Sequence, residues 1–263
     1  MNNNSPFRGL RGIPNLFTLL NLVCGFVAII FILQTGQTIV YIDGEGFNQV
    51  DLPEKITWGA LLIFAAAIID FLDGFVARLF KATSEMGKQL DSLADVVSFG
   101  VAPGLILFQL LRISFAQNEN GLDVSMVWLF PAVIIPCAAA WRLAKFNLDT
   151  EQQFSFKGLP TPAAGLTIAS LPLIIWYPQF EIQALLINKW IIYSIILLLS
   201  LLMISNLSLM SMKFKDVNLK NNLPILVLAL VCIASVFLLK WLAVPVTLLA
   251  YVALSLLFKN KTQ

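Results

Sequence analysis

Residues 59–95 read GALLIFAAAIIDFLDGFVARLFKATSEMGKQLDSLAD, and this stretch determines both the fold class and the chemistry of the chain. The part before residue 70 is uncharged and mostly aliphatic, as in a membrane-spanning helix. An aspartate near the middle of a membrane costs roughly 2.5–3.5 kcal/mol on insertion scales. The stretch nevertheless contains four aspartates: Asp70, Asp73, Asp91 and Asp95. Their charge must therefore be compensated by a metal, a partner or water.

The spacing of these aspartates divides them into two pairs. Asp70 and Asp73 are three residues apart and the second pair is four apart, so each pair lies on one face of its helix. Two such faces turned towards each other make an oxygen-rich pocket that suits hard divalent cations, Mg²⁺ or Mn²⁺. The residues alone predict a two-metal phosphoryl-transfer site in a membrane. The structural alternative is that the aspartates cap helices or pair with Arg78 and Lys88.

The composition identifies an integral membrane protein and excludes several mechanisms. Of the 263 residues, 59% are hydrophobic and 12% charged, and the mean hydropathy is +0.84. Soluble globular chains average about 25% charged residues. Histidine is absent, which excludes phosphohistidine intermediates and Ser-His triads, so acid–base work falls to carboxylates, lysine, tyrosine or bound water. The net charge of +2 does not indicate a nucleic-acid partner.

Apolar stretches predict an all-α, polytopic membrane bundle of about eight transmembrane helices. Most of the stretches reach the roughly 20 residues needed to cross the hydrocarbon core. Their predicted bounds are 13–33, 57–80, 92–114, 126–146, 161–177, 188–207, 223–239 and 241–258. The last two could form one long helix, but such a helix would be too long to span once. We therefore predict a hairpin at Lys240 and Trp241.

The distribution of basic residues predicts that both termini are cytoplasmic. With the amino terminus inside, most lysines and arginines fall on the cytoplasmic side, and the exceptions are Lys55, Arg112, Lys189 and Lys240. This orientation puts the aspartates in the cytoplasmic half of the cell (inner) membrane. A site there can join a lipid-borne substrate to a water-soluble one.

The aspartate run resembles the signature of the CDP-alcohol phosphatidyltransferase family at all eight of its defining positions: Asp70, Asp73, Gly74, Ala77, Arg78, Gly87, Asp91 and Asp95. The resemblance implies that two divalent ions, Mg²⁺ or Mn²⁺, hold the pyrophosphate of a CDP-linked lipid. An alcohol then attacks the lipid-side phosphorus and CMP leaves. It also implies that the first three aspartates are metal ligands. Asp95 would face the metals and act as the general base for the incoming hydroxyl.

The same resemblance implies a set of residues that bind the CDP-lipid: Asn15, Thr18, Gly74, Ala77, Arg78, Ser84 and Gly87. Small residues such as Gly74 allow close approach to a helix, and Arg78 can fork onto phosphate oxygens, although it could also be a positive-inside anchor. Gly87 is expected to open the third helix and to leave amide donors free for phosphate. Pro-Asn-x-x-Thr, from residue 14, is a frequent companion of the family signature.

Further stretches are similar to the serine-using, membrane-embedded bacterial branch of the family: 15–28, 91–103, 142–147 and 156–164. This similarity implies CDP-diacylglycerol as donor, L-serine as acceptor, a membrane-lipid product and, by analogy, a homodimer. An amino-acid acceptor needs a cation for its carboxylate, and Arg142, Lys145 and Lys157 can supply one or can simply determine topology. Glycerol 3-phosphate or inositol phosphate would need similar cations. The choice of serine therefore rests on the resemblance.

The predicted organisation has three parts. Residues 1–12 form a cytoplasmic juxtamembrane segment, 13–207 the catalytic core of six spans, and 208–263 a cytoplasmic loop with the last two spans. A rival of another class is a divalent-cation transporter that uses the aspartates as a permeation site. That rival leaves the small residues of the signature unexplained.

Overall fold

The structure is a computed structural model that describes residues 13–33, 40–42, 48–50, 52, 54–80, 84–117, 124–148, 156–177, 180–210 and 223–258. The predicted juxtamembrane segment 1–12 and most of the loop before residue 223 lie outside this part of the chain. The helices are α1 Ile13–Leu33, α2 Glu54–Leu79, α3 Glu85–Asp95, α4 Ala102–Ala116, α5 Ile134–Leu148, α6 Thr161–Trp176, α7 Gln183–Leu186, α8 Lys189–Ile204, α9 Leu223–Leu239 and α10 Ala243–Leu257.

Short strands and non-α turns complete the described chain. Antiparallel strands β1 Val40–Ile42 and β2 Asn48–Val50 pair after α1, and β3 Phe156–Lys157 pairs with β4 Ser208–Leu209. A π-helix covers Val96–Val101, and 3₁₀ turns cover Met126–Trp128, Phe130–Val133 and Lys240–Leu242. The predicted all-α architecture therefore holds except for these two small strand pairs.

Four helical stretches are long and apolar enough to cross a membrane: Pro14–Leu33, Glu54–Leu79, Glu85–Ala116 and Leu223–Leu257. The chain is thus a multi-pass membrane protein. Helices α6 and α8 have 16 residues each, fewer than the roughly 20 that span the hydrocarbon core. The eight spans and the side of each terminus therefore stay predictions.

The third long helix begins earlier than the predicted residue 92. It starts at Glu85, because the Ser84 side chain caps it by accepting a hydrogen bond from the Gly87 amide at 3.0 Å. Its first turns carry a polar face, so a search for apolar runs misses them. Asp91 and Asp95 lie on this one helix, as the sequence analysis predicts from their spacing.

The π-helix joins α3 to α4 without a break and lies against α1 and α6 at two glycines. A Cβ on Gly25 would lie 2.9 Å from the Ser98 Cα, and one on Gly165 would lie 3.0 Å from the Phe99 Cα. Such distances leave no room for a side chain, so both glycines are required for close packing. Phe99 is fully buried at the centre of the described core.

The last two helices form the predicted hairpin. The hydroxyls of Ser235 on α9 and Thr247 on α10 lie 3.3 Å apart, whereas these residues would be about 18 Å apart along one straight helix. Lys240 at the turn has a positive φ of 48°. The hairpin packs against α6 and closes an apolar cavity of about 280 Å³ with α2 and α6.

The close approach of α1 to the π-helix predicts that Gly25→Ala destabilises the protein by about 1–3 kcal/mol, because the added methyl overlaps the backbone at Ser98. Thermal unfolding in detergent measures this as a lower Tm. Gly74→Ala is the matched control, since its Cβ would meet only the Arg78 guanidinium, at 3.6 Å. An equal Tm in the two variants would contradict the packing argument.

Candidate active site

Helices α1, α2 and α3 enclose a polar cavity of about 440 Å³. All the residues that the sequence predicts to bind the CDP-lipid lie in its wall, together with three of the aspartates and with Lys88. The lining residues are Pro14, Asn15, Thr18, Asp70, Phe71, Asp73, Gly74, Ala77, Arg78, Ser84, Gly87, Lys88 and Asp91. Residues far apart in the sequence thus meet at one site.

Three carboxylates converge at this site. Asp70, Asp91 and Asp95 each place an oxygen within 4.8 Å of the others. Asp95 is only 7% exposed, and the other two are half-buried. Three carboxylates at this separation repel one another when they are ionised, and a cation held among them would offset that repulsion. The donor set is oxygen alone, which suits Mg²⁺ or Mn²⁺ rather than a softer metal, so the residues fit the predicted metal.

Asp73 lies in the same cavity wall, outside this group of three carboxylates. Its side chain is buried and accepts a hydrogen bond from the Thr18 hydroxyl, which also lies 3.2 Å from the Pro14 carbonyl oxygen. This contact links the start of α1 to α2. The metal-ligand role of Asp73 stays a prediction.

Asp95 lies beyond the inner end of the cavity. The Asn21 amide nitrogen donates a hydrogen bond to Asp95 Oδ1 at 3.3 Å. Asn21 follows Thr18 by one turn of α1, as Asp95 follows Asp91 on α3. The two residues therefore lie together one helical turn beyond the lining residues Thr18 and Asp91.

The structure corrects the predicted role of the Gly87 amide. This N–H bonds to Ser84 Oγ as part of the helix cap, so it is not free for phosphate. Gly87 instead allows α1 to approach α3, because a Cβ there would lie 3.1 Å from Asn15 Oδ1. The helix begins before Gly87 rather than at it, and this shift takes the amide into the cap.

The predicted acceptor residues have different surroundings. Arg142 on α5 donates from Nη1 to Thr161 Oγ1 at 3.0 Å. Lys145 is exposed and donates to Asn206 Oδ1. Lys157 contributes its backbone to β3, and its side chain lies outside the described part of the protein. The acceptor-binding role of all three cations therefore stays a prediction.

The sequence analysis did not assign two residues that the structure brings to the site. Lys88 lines the cavity, and its ammonium group donates to the Asn147 carbonyl at 3.2 Å. Asn21 holds Asp95. The sequence contained a signal for each of these two residues. Lys88 directly follows Gly87 within the family signature. Asn21 continues the polar spacing of Asn15 and Thr18 on α1.

An apolar helical bundle with a carboxylate-rich cavity defines a class of membrane protein equipped for divalent cations and phosphate. The CDP-alcohol phosphatidyltransferase profile matches residues 11–204. The chain belongs to the CDP-alcohol phosphatidyltransferase family.

Curated relatives agree with this assignment. The chain is 32% identical to the CDP-diacylglycerol–serine O-phosphatidyltransferase of Helicobacter pylori strain 26695, over 88% of this chain and 84% of that protein. It is 30% identical to the protein of the same name in Bacillus subtilis, over 60% and 74%. An archaetidylserine synthase of Methanothermobacter thermautotrophicus is 28% identical over 71% and 69%.

The carboxylate cluster predicts that Asp70→Asn and Asp91→Asn each weaken Mn²⁺ binding by about tenfold or more, since each removes an oxygen ligand. Electron paramagnetic resonance of free Mn²⁺ in a titration of purified protein measures the change. Glu85→Gln on the exposed first turn of α3 is the matched control for loss of one negative charge. If the affinity for Mn²⁺ is unchanged in both aspartate variants, Asp70 and Asp91 are not metal ligands.

Proposed function

We propose that this protein transfers the phosphatidyl group of CDP-diacylglycerol to the hydroxyl of L-serine, giving phosphatidylserine and CMP. The observation that carries the proposal is the group Asp70, Asp91 and Asp95, two of which line a polar cavity, in a member of this family. The names of the relatives in Helicobacter pylori and Bacillus subtilis support serine as the acceptor.

The proposed cofactor is a pair of Mg²⁺ or Mn²⁺ ions held by Asp70, Asp73, Asp91 and Asp95. Bound there, the cations would neutralise charge on the pyrophosphate, on the attacking hydroxyl oxygen and on the leaving phosphate oxygen. The protein supplies the ligands from two helices, α2 and α3, whose relative position is fixed by their shared packing on α1.

The wall of the cavity suits the CDP group. Arg78 and Lys88 supply cations for phosphate oxygens, and Asn15 and Thr18 supply polar groups from α1. Gly74 leaves open space, because a Cβ there would contact only the Arg78 guanidinium within 4 Å. A phosphate or ribose can therefore approach the α2 backbone closely. Ala77, Ser84 and Gly87 complete the proposed CDP-lipid set.

In the proposed reaction, the serine hydroxyl oxygen forms a bond to the lipid-side phosphorus. The bond from this phosphorus to the bridging pyrophosphate oxygen breaks, and CMP leaves with that oxygen. Asp95 takes the hydroxyl proton as general base. Arg142 binds the serine carboxylate in this proposal, and Lys145 and Lys157 are further cations of the acceptor site.

The proposed setting is the cell (inner) membrane with the cavity open to the cytoplasm, eight spans and both termini inside. The positive-inside distribution of lysine and arginine supports this orientation. We also propose residues 13–207 as the catalytic core, a separate final part 208–263, and a homodimer by analogy with the family.

The proposed acceptor is tested on purified protein in detergent. CDP-diacylglycerol with Mg²⁺ or Mn²⁺ is supplied with L-serine, glycerol 3-phosphate or inositol phosphate, and CMP and the lipid mass are followed. We expect serine-dependent CMP and a phosphatidylserine product. If CMP is released only with another acceptor, that acceptor and not serine is the substrate. Metal flux through proteoliposomes without any CMP would instead favour the divalent-cation transporter.

Loss of the general base gives a second test. Asp95→Asn should lower kcat by about 10²–10⁴-fold, because a positioned base contributes that much, and should spare most of the CDP-diacylglycerol affinity. Asp70→Ala should weaken that affinity strongly, because it removes a metal ligand at the pyrophosphate. Equal loss of CDP-diacylglycerol binding in the two variants would make Asp95 chiefly a metal ligand.

A further inference from the structure

Two side chains of the last helix, α10, hold the backbone of Met210. The Tyr251 hydroxyl donates to the Met210 carbonyl oxygen at 3.0 Å, and the Met210 amide donates to Ser255 Oγ at 3.1 Å. Tyr251 and Ser255 are four residues apart, so they lie on one face of α10. None of these residues is more than 5% exposed. Breaking either bond would leave a buried backbone group without its partner, so α10 fixes the position of Met210.

Met210 directly follows β4, which pairs with β3 in a small structure attached to two helices. The turn after β3 is at Gly158, whose φ is +76° and whose amide donates to the Leu207 carbonyl oxygen at 2.9 Å. The next amide, that of Leu159, donates to the Leu202 carbonyl oxygen of α8 at 2.9 Å. The two strands and their flanking residues are called the strand unit below, and it consists of residues 156–161 and 206–210. Leu159 attaches the strand unit to α8, and Met210 attaches it to α10.

The strand unit depends on these attachments, because its own pairing is short. Phe156 pairs with Leu209, and Lys157 pairs with Ser208. An isolated two-stranded hairpin is marginally stable at best in water. Loss of a hydrogen bond at Met210 would therefore let the strand unit move while the helices around it stay packed.

The strand unit contains or contacts all three cations that are proposed for the acceptor site. Lys157 belongs to β3. Lys145 on α5 donates to Asn206 Oδ1. Arg142, also on α5, donates from Nη1 to Thr161 Oγ1 at 3.0 Å. Cations from two separate parts of the chain thus share one support, and α10 holds that support.

We propose that Tyr251 and Ser255 are positioning residues for the acceptor: by holding Met210 they fix the strand unit, and thereby they set the affinity for L-serine. This inference rests on the proposed function and gives the last helical hairpin a part in it. The family profile ends at residue 204, so Met210 and both positioning residues lie beyond it. The polar cavity proposed for the CDP-lipid is lined by residues of α1, α2 and α3 and by the capping residue Ser84. The affinity for CDP-diacylglycerol should therefore not depend on α10.

Tyr251→Phe and Ser255→Ala each remove one hydrogen bond to Met210 and keep most of the side-chain volume. In each variant the KM for L-serine should rise about three- to tenfold, the factor that corresponds to one lost hydrogen bond. The KM for CDP-diacylglycerol should not change. Steady-state kinetics of CMP release from purified protein in detergent measures both constants. A result without a selective rise in the KM for L-serine would overturn the proposal.

Ser235→Ala is the matched control within the same hairpin. Ser235 on α9 is 5% exposed, and its hydroxyl donates to the Cys232 carbonyl oxygen at 3.0 Å and lies 3.3 Å from Thr247 Oγ1. These contacts stay inside the hairpin. The variant loses a buried hydroxyl, as the other two do, and should leave the KM for L-serine unchanged. An equal rise in that KM would show that the hairpin acts through stability alone and would contradict a positioning role.

Hydrogen–deuterium exchange measures the hold on the strand unit without any substrate. The Gly158 and Leu159 amides are bonded to Leu207 and Leu202, so they exchange slowly while the strand unit is held in place. Peptides that cover these amides should exchange faster in the two α10 variants than in the wild type. They should exchange at the wild-type rate in the α9 control. Unchanged exchange in both α10 variants would refute the proposed support.

The two measurements separate this inference from the proposed function. A wild-type protein that makes no phosphatidylserine overturns the proposed function, and the exchange rates then still decide whether α10 holds the strand unit. A wild-type protein that makes phosphatidylserine, with the same KM for L-serine in both α10 variants, overturns the inference alone. If Tyr251→Phe does not fold, Ser255→Ala carries the same test.

Discussion

The repulsion among Asp70, Asp91 and Asp95, which are gathered within 4.8 Å inside an apolar helix bundle, is the constraint on which the rest of the structure depends. Such a group needs compensation of its charge and rigid support from its neighbours. The support comes from polar contacts in α1: Thr18 donates to Asp73, and Asn21 donates to Asp95. The first helix therefore supports, through polar contacts, the two helices that carry the carboxylates.

The sequence predicted the contents of the cavity well, because the aspartates and small residues recur at helical spacings that survive in any helical packing. Asp70 and Gly74 lie on one face of α2 whatever that helix contacts. The start of α3 was predicted less well. The amphipathic first turns of α3 contain no apolar run, and only the capping bond of Ser84 marks their beginning.

Tertiary contacts explain what the sequence could not supply. Lys145 and Arg142 are equivalent in sequence terms, as cations three residues apart near the end of one predicted span. In the structure Lys145 contacts Asn206 after α8, whereas Arg142 contacts Thr161 at the start of α6, and both contacts depend on how the helices pack. Asn21 likewise belonged to a recognisable polar spacing. Its unpaired oxygen exists only in the packed bundle.

The π-helix at Val96–Val101 has a consequence for the directions in which the side chains of the long helix Glu85–Ala116 point. A π-turn accommodates an additional residue, so it shifts the angular phase of everything that follows relative to everything before. The direction in which the core residues of α4 point is therefore offset from the direction in which Asp91 and Asp95 point. One continuous helix thus presents carboxylates to the site with its first half and apolar side chains to the core with its second.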